Sequence, residues 1–409
     1  MTPPVVLYED GAWRRFLPLT YTRAVFQLVC GMGDLAARAR SLAPEVGLWC
    51  RPEIAALVEE QTGASVNRPL SGGLLLNGRA LWDSLPEVGP GDAPWAGTID
   101  GRVACVWAGA GLAERLDAEK MLEEHRLESL LEGVPRRAVD GHGRLLDWPW
   151  ELLHAHPGAL EEDWGRGAGE GVFGTVDGGA HLLNPAAVHV GRGSRLLPGA
   201  VVDAEAGPVW IGDRVRVLPH AYIQGPAYIG DGCLVQAGAR LRHGTFLGPQ
   251  CKVGGEVEGS ILHGYSNKQH DGFWGHSYVG SWVNIGAGCS NSDLKNTYGA
   301  VRVPIGGREV DSGETFVGAL VGDHAKLGVN LAVPTGAVVG FCSSVAAAGG
   351  PKFVPSFTWI AAGRGEDYDP ERGLEVARQM MARRGRAMRP AEEEAFLRVA
   401  RLAPTLEMR

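Results

Sequence analysis

The sequence predicts an α/β domain, then a left-handed parallel β-helix, then a short C-terminal helical segment. Its 409 residues are enough for two cores of ordinary domain size. The 60 glycines and 25 prolines indicate many turns, while the 45% hydrophobic content is typical of a folded protein. An aliphatic residue also recurs at every sixth position over a long run, and this period determines the fold of the second part.

The six-residue period predicts the β-helix. Aliphatic side chains occupy eight successive positions of the period: Ile211, Val217, Ile223, Ile229, Val235, Leu241, Leu247 and Val253. A mostly small residue lies two positions before most of them: Val215, Ala221, Ala227, Cys233, Ala239, Thr245 and Cys251. In a triangular coil, each side places one aliphatic and one small side chain inside, and stacked coils supply the hydrogen bonds.

The period is interrupted twice. It resumes at Val279 and Ile285, and again from Val321 to Val345. We therefore expect residues 254–278 and 286–320 to be loop insertions, which in solenoid proteins often form the binding face.

Different patterns flank the period and set the domain boundaries. In residues 1–180, apolar runs alternate with helical patterns, as in an α/β domain. The runs are Pro4–Tyr8, Gly72–Leu76 and Val103–Trp107, and the helical patterns are Asp34–Ala43, Ile54–Gln61 and Glu119–Leu131. We assign residues 181–355 to the β-helix. Residues 356–409 contain two helical patterns, Glu371–Arg384 and Ala391–Leu402, which we expect to cap or buttress the end of the β-helix.

Composition argues against several classes of function. The 39 Lys and Arg residues against 47 Asp and Glu residues give a formal charge of −8, so no nucleic-acid partner is expected. No secretory signal and no apolar run of about 18 residues is seen, so we expect no membrane association. The seven cysteines are scattered without a CxxC pair, which favours a reduced, cytoplasmic protein.

The most specific motifs lie in residues 260–360. They read HDGFWGHSYVG, GHSYVGSWVNIGAG, SDLKNTYG, GALVGDHAKLGVN and PKFVPSF. With these motifs the chain resembles the bifunctional UDP-N-acetylglucosamine pyrophosphorylase/glucosamine-1-phosphate N-acetyltransferase family. It is most similar to the alternative bacterial branch of that family, described as sugar nucleotidyltransferases with a hexapeptide-repeat acyltransferase domain.

The resemblance implies an acetyl transfer from acetyl-CoA to an amino-sugar 1-phosphate. His276 matches the histidine that deprotonates the sugar amine, and an imidazole can accept a proton at neutral pH. Tyr278, Asn284 and Asn267 would help position the sugar or acetyl-CoA. Lys268 and Lys295 would meet phosphates, although a solvated loop charge explains either lysine equally well. The family builds its acyl site between adjacent β-helices, so a homotrimer is implied.

Two departures from the family concern the acyl site. The spacing from His276 to Asn284 is six residues shorter than in the bifunctional enzyme, so one hexapeptide is missing. The Asn-Tyr pair that contacts acetyl-CoA in that enzyme aligns with Asp293 and Leu294.

The N-terminal domain resembles a Rossmann-like sugar nucleotidyltransferase in which key residues have changed. Gly11 alone remains of the glycine-rich loop, and Arg79 stands where the family has an Asp that binds the metal. Arg14, Arg15, Arg23 and Asn77 are candidates for binding the nucleotide, and Mg²⁺ is implied only if this domain is active. Nucleotidyl transfer from an NTP to a sugar phosphate, binding of a nucleotide sugar without chemistry, and support of the trimer all remain open.

The sequence also allows two other hypotheses. The γ-class carbonic anhydrases bind zinc with three histidines on the same fold, and His243, His270 and His276 could be recruited in that way. Their spacing does not match, so no metal site is expected, and His324 is expected to be a turn residue. The other alternative is a non-catalytic assembly scaffold, for which replacing His276 would have no measurable effect.

Overall fold

The computed structural model describes residues 4–89, 91–167, 169 and 171–407. The chain separates into two compact units. One comprises the chain up to Trp148 together with Pro390–Ala395, and the other comprises Pro149–Arg389 and the chain from Phe396 onward. Among the described residues, no helix has the length and apolarity that crossing a membrane would require.

The first unit is built on a mixed six-stranded sheet. In spatial order its strands are Val46–Trp49, Val5–Tyr8, Gly73–Asn77, Arg102–Ala108, Trp95–Ile99 and Arg136–Ala138. The first three strands run parallel, and the fourth is antiparallel to the third. The two central parallel strands are fully buried apolar runs, as expected for strands covered on both faces. A separate pair joins Ala80–Trp82 to Gly143–Leu145.

The helices of this unit begin and end at recognisable capping residues. Asp34 accepts a hydrogen bond from the amide of Ala37 at the start of α1, Leu35–Leu42. Helix α2, Pro52–Thr62, begins with proline and ends at Gly63 in the left-handed conformation. The shorter helices are α3 (Ala110–Ala113), α4 (Ala118–Met121), α5 (Glu124–Leu130) and the 3-10 helices Gly11–Phe16, Val25–Gln27 and Asp140–His142. The predicted α/β pattern is confirmed.

The second unit is a left-handed β-helix whose coils stack into three parallel sheets, named here I, II and III. Sheet I comprises Gly171–Val172, Val188–Val190, Val209–Ile211, Ala227–Ile229, Thr245–Leu247, Ile261–Leu262, Tyr278–Val279, Leu320–Val321, Val338–Val339 and Phe353–Val354. Sheet II comprises Thr175–Val176, Arg195–Leu196, Arg216–Val217, Leu234–Val235, Lys252–Val253, Asn267–Lys268, Asn284–Ile285, Lys326–Leu327, Ser344–Ala346, Thr358–Ala361 and the antiparallel Arg364–Asp367. Sheet III comprises His181–Leu183, Val201–Asp203, Tyr222–Gln224, Arg240–Leu241, Glu256–Glu258 and Phe273–Gly275. A 3-10 helix, Pro185–Ala187, lies between two of the strands.

The aliphatic residues of the period form the core of the coils. All eight from Ile211 to Val253 are fully buried, and the small residues two positions earlier are also buried. Each aliphatic residue stacks on its counterpart one coil away, because parallel pairing keeps side chains of the same strand position in one row. The predicted β-helix is confirmed.

One of the two expected insertions is wrong. Residues 254–278 continue the coil with the strands Glu256–Glu258, Ile261–Leu262, Asn267–Lys268 and Phe273–Gly275. The spacing between these strands departs from six residues, so the repeat could not be recognised in the sequence. Residues 286–320 do leave the coil after Ser290–Asn291, which pairs with Ala332–Val333. They form the hairpin Arg302–Ile305 and Arg308–Asp311, and they return through a bridge between Leu294 and Phe316.

Three helices cover parts of the β-helix unit. Helix α6, Pro149–Gly165, packs on the outer side of sheet I, where the ring of His156 meets the ring of Phe246 edge-on at 5.9 Å. Helices α7 (Pro370–Ala382) and α8 (Pro390–Leu406) follow the last coils. Phe396 packs against Phe341, and the amide of Ser356 donates to the Glu407 carboxylate at 2.9 Å. The C-terminal helices therefore pack against the sides of the coils near this end and buttress it, which is one of the two roles expected for them.

Candidate functional site

His276 lies at the corner between sheets III and I, directly after Phe273–Gly275. Its amide donates to the Glu258 carbonyl at 2.9 Å, and its carbonyl accepts from the Gly318 amide at 2.8 Å. The ring lies against Gly259, whose φ is +52° and where a Cβ atom would come within 2.9 Å of the ring. A glycine is thus required beneath the imidazole, both for its conformation and for the space.

Asp293 is the hydrogen-bond partner of His276. Its Oδ2 atom lies 2.8 Å from His276 Nδ1, and the two side chains are 13% and 22% exposed. An ionised carboxylate can only accept, so in the neutral imidazole Nδ1 carries the hydrogen and Nε2 has the free lone pair. This arrangement prepares Nε2 to take up a proton from a bound substrate.

The insertion 286–320 positions Asp293. The side chain of Asn291 joins this segment to the neighbouring coil, because its Oδ1 accepts from the Gly275 amide at 2.8 Å and its Nδ2 donates to the Gly275 carbonyl at 2.9 Å. The Asp293 carbonyl accepts from the Val317 amide at 3.0 Å. At the far end of the insertion, the ring of Phe316 lies 5.2 Å from the ring of His276 and is 43% exposed. One insertion therefore supplies both the carboxylate and an apolar wall.

Lys295 lies in the same insertion, two residues after Asp293. Its ammonium group donates to the Ala300 carbonyl at 2.9 Å, and the side chain is half-buried. Lys295 is thus a predicted binding residue that lies in the insertion 286–320, the segment that contacts His276.

Tyr278 is placed elsewhere. It is fully buried on the outer side of sheet I, on the strand against which α6 packs. Its hydroxyl lies 3.1 Å from Nε2 of His263, which was not among the predicted site residues. The two residues are about one coil apart in the sequence, and this spacing could have predicted their contact.

Asn267 and Asn284 are register partners on adjacent strands of sheet II. The Asn267 amide oxygen accepts a hydrogen bond from Arg384, which follows α7. Both asparagines are half-buried, and they lie on a different side of the coil from His276.

Lys268 points into the interior of the coil. It is fully buried at the strand position occupied one coil earlier by the core residue Val253. Its ammonium group donates to the carbonyls of His270 at 2.7 Å and Gly254 at 3.2 Å. Burial lowers the pKa of Lys268 to about 8. This side chain is satisfied by backbone within the coil.

The histidines considered for zinc lie apart or face other groups. His243 is beside Glu258 at 3.6 Å, and His270 is exposed at the corner between sheets II and III. Across residues 4–89, 91–167, 169 and 171–407, no three His, Cys, Asp or Glu side chains cluster as metal ligands would. His324 lies at a corner with a φ of +60°, among the rings of Trp282, Phe341 and Phe396.

A second group of polar residues lies in the first unit, where the strands Val5–Tyr8 and Gly73–Asn77 end. The Arg79 guanidinium is buried between two carboxylates, with Nε 2.8 Å from Asp10 Oδ2 and Nη1 2.8 Å from Asp147 Oδ1. Asn77 donates to the same Asp10 oxygen at 2.7 Å. Burial lowers the pKa of Arg79, but Asp10 and then Asp147 outweigh it, so the pKa is raised.

The predicted arginines occupy different positions around this network. Arg15 donates to Asp147 Oδ1 at 2.8 Å, and Arg102, which the sequence analysis did not single out, also binds Asp147. Arg14 is exposed, with its guanidinium 4.9 Å from the centre of the Trp13 ring. Arg23 is buried and donates to the Leu19 carbonyl at 2.7 Å.

These residues do not fit a Mg²⁺ ion. Magnesium binds through carboxylate oxygens, and the oxygens of Asp10 and Asp147 already accept from Arg79, which carries the positive charge at this point. We therefore derive no step through a metal in this unit.

Comparisons with known proteins agree with this architecture. Residues 5–167 match the sugar nucleotidyl transferase family, and residues 208–243 match the bacterial transferase hexapeptide family with its six repeats. The chain therefore combines a domain that matches the sugar nucleotidyl transferase family with a β-helix that matches the transferase hexapeptide family.

A curated relative has two activities in its name. It is the bifunctional sugar-1-phosphate nucleotidylyltransferase/acetyltransferase of Sulfurisphaera tokodaii, 32% identical over 85 residues, which is 21% of each chain. The match thus spans about a fifth of that relative's length.

Solved structures with some likeness include two acyltransferases. The UDP-N-acetylglucosamine acyltransferase of Campylobacter jejuni has 13% identity and a TM-score of 0.24, covering 54% of this chain and 94% of that one. The acetyltransferase domain of PglB from Neisseria gonorrhoeae has 14% identity and a TM-score of 0.14, covering 53% and 66%. TM-scores this low do not bear on function.

Proposed function

We propose that this enzyme transfers an acetyl group from acetyl-CoA to the amine of an amino-sugar 1-phosphate, with His276 as the general base. The observation that carries the proposal is the 2.8 Å hydrogen bond between His276 and Asp293 at a corner of the β-helix. The bifunctional name of the Sulfurisphaera tokodaii relative supports the same chemistry. So do the motifs around His276, which resemble the bacterial branch described above.

In the proposed reaction, the sugar amine attacks the carbonyl carbon of the acetyl thioester. His276 Nε2 takes the proton that the nitrogen loses as the new C–N bond forms. The C–S bond then breaks, and the thiolate leaves and takes a proton from the imidazolium or from water. Asp293 keeps Nδ1 protonated throughout and stabilises the positive charge that develops on the ring. No covalent enzyme intermediate is needed.

Two neighbours of His276 would assist. Phe316 forms an apolar wall beside the imidazole and would exclude water from one side of the acetyl group. Lys295 lies in the same insertion as Phe316, and its ammonium group would approach the sugar phosphate. We further propose that the chain works as a homotrimer in which a neighbouring β-helix completes this site, and light scattering of the purified protein tests that assembly.

For the first unit, we propose a second activity, nucleotidyl transfer to a sugar 1-phosphate, because residues 5–167 match the sugar nucleotidyl transferase family. Arg15 and Arg102 leave part of their guanidinium groups exposed around Asp147 and would contact phosphates. Release of pyrophosphate should be measured with each of the four common NTPs and a sugar 1-phosphate, with and without Mg²⁺. Absence of release with every nucleotide would reduce this unit to binding or assembly.

The acetyl transfer is tested by choosing acceptors that separate amine from hydroxyl chemistry. Glucosamine 1-phosphate and galactosamine 1-phosphate should release thiol from acetyl-CoA and give an N-acetylated product detectable by mass spectrometry. Glucose 1-phosphate, which has the phosphate but no amine, should give neither. Equal release with all three sugars, or release with none of them, would refute the proposed acceptor.

A further inference from the structure

A cluster of positive charges lies on the outer side of sheet II. It is formed where the segment 383–389, between α7 and α8, meets the strands of the sheet. Arg384 donates through Nη1 to the Gln250 carbonyl at 3.0 Å and through its other amino group to the Asn267 side chain. These acceptors belong to adjacent coils, and Asn267 is the register partner of Lys252. Arg384 is thereby held beside Lys252.

The charge balance of this cluster depends on three cations, Lys252, Arg383 and Arg384. In the part of the chain that the structure describes, no carboxylate forms an ion pair with Lys252, Arg383 or Arg384. Elsewhere on the β-helix, two strand arginines do pair with acids, Arg195 with Asp177 at 2.9 Å and Arg240 with Glu256 at 3.0 Å. The acceptors that Arg384 uses are neutral amide and carbonyl oxygens. The positive charge is therefore left uncompensated.

The charges also repel one another. Burial, and after it the nearby Arg384 and Arg383, lowers the pKa of Lys252. Burial, with a further contribution from Arg383, lowers the pKa of Arg384. Like charges held together at this range oppose folding unless something else offsets them. An anion bound between them would remove that repulsion.

The segment is also fixed in place by aromatic rings. Tyr265 and Trp282 come from corners of adjacent coils and stack with their centres 4.2 Å apart. The Arg386 guanidinium lies 5.6 Å from the centre of the Tyr265 ring and 6.0 Å from that of Trp282. The segment that carries the arginines is thus held in place by these rings. Less conformational entropy is therefore lost when the arginines bind an anion.

We propose that Lys252, Arg383 and Arg384 form a binding site for a phosphate group of one of the reactants. A phosphate dianion matches two or three clustered cations, and a guanidinium presents paired N–H donors to its oxygens. The identity of the reactant rests on the proposed function, in which acetyl-CoA and the sugar 1-phosphate both carry phosphate. The cluster is on sheet II, whereas His276 is at the corner between sheets III and I, so binding and proton transfer can be tested separately.

The test is calorimetric titration of the full chain with two probes, adenosine 3′,5′-bisphosphate for the donor and glucosamine 1-phosphate for the acceptor. Arg384→Gln and Lys252→Gln should each weaken at least one probe by about tenfold or more, because a charged hydrogen bond is lost. The probe that weakens identifies the reactant. Arg216→Gln is the matched control, since Arg216 occupies the same outward position of sheet II two coils earlier and is exposed.

Several results would overturn the site. These are no binding of either probe to the unmodified protein, equal weakening by all three substitutions, or weakening by none. Binding that depends on Arg384 in a protein that transfers no acetyl group would support the site and refute the proposed function. Adding His276→Ala should leave the affinity for adenosine 3′,5′-bisphosphate unchanged, because this probe has no sugar amine, and this separates the two claims.

Discussion

His276 Nδ1 and Asp293 Oδ2 lie 2.8 Å apart although seventeen residues separate them in the chain. The separation is close to one coil of the β-helix, so stacking of coils brings the two side chains together.

Asp293→Asn should reduce acetyl transfer by about 10²-fold or more while the protein stays folded. The side-chain amide introduced by this substitution can donate to Nδ1 of His276, which would favour the tautomer with hydrogen on Nε2 and remove the base. Steady-state rates with glucosamine 1-phosphate check this. Asp311→Asn, in the exposed hairpin of the same insertion, should keep the rate of the unmodified protein, and a similar loss in both variants would contradict the pairing.

Gly318→Ala should impair the same site through the backbone. A Cβ atom at position 318 would clash with the Gly275 carbonyl and the Ser277 hydroxyl, and so displace the amide that binds the His276 carbonyl. We expect a lower kcat and a lower melting temperature. Gly299→Ala in the same insertion has room for its methyl group, with the nearest atom at 3.7 Å, and should behave like the unmodified protein. Full activity in Gly318→Ala would show that the corner is more tolerant than the structure indicates.

Lys268→Met should change how stability depends on pH. Burial lowers the pKa of Lys268 to about 8 from the ordinary 10.5, so the folded protein binds this proton more weakly than the unfolded chain. The free energy of unfolding therefore rises as the pH increases from about 8 towards 10.5. Below pH 8, Lys268 is charged in the folded protein, and the full cost of burying that charge remains. By this shift the cost is on the order of 3 kcal/mol.

Denaturant unfolding between neutral and alkaline pH measures this effect. Lys268→Met should lose the part of the rise that Lys268 contributes, leaving the part from Lys326, whose pKa burial also lowers to about 8. Lys326→Met should conversely lose the part from Lys326 and keep the part from Lys268. Parallel curves for Lys268→Met and the unmodified protein would contradict the buried position of this charge.

Arg79→Ala should destabilise the first unit by about 3 kcal/mol or more, because it leaves two carboxylates without their buried cation. Both Asp10 and Asp147 lose a 2.8 Å ion pair in this variant. Chemical denaturation followed by tryptophan fluorescence measures the change. Arg14→Ala removes an exposed arginine of the same unit and should cost far less, so equal losses would refute the network.

The period of aliphatic residues was sufficient to predict the β-helix, since each residue from Ile211 to Val253 had one possible environment, the inside of a coil. The same reasoning did not predict that Lys268 is buried inside the coil. A short turn shifts the six-residue count, so the sequence does not show that Lys268 pairs in register with Val253. Asp293 was missed because the motif comparison aligned it with another residue type. Counting one coil forward from His276 would have placed Asp293 beside it.

The N-terminal network was harder to anticipate from sequence. The replacement of a metal-binding acid by Arg79 is visible in the sequence, but its two partners are distant in the chain, at positions 10 and 147. Which acids meet at the ends of the central strands depends on the sheet order, and local patterns do not determine that order. The charge cluster at Lys252 was invisible for the same reason, since Arg384 lies 134 residues from Gln250.

The most direct test of the central claim is thiol release from acetyl-CoA with glucosamine 1-phosphate, compared among the unmodified protein, His276→Ala and His270→Ala. His270 is an exposed histidine at another corner of the coil that contains His276, so it controls for loss of any nearby imidazole. We predict that release falls by about 10²-fold or more in folded His276→Ala and is unchanged in His270→Ala. Equal rates in His276→Ala and the unmodified protein would contradict the assignment of His276 as the base and would favour an assembly role for the β-helix.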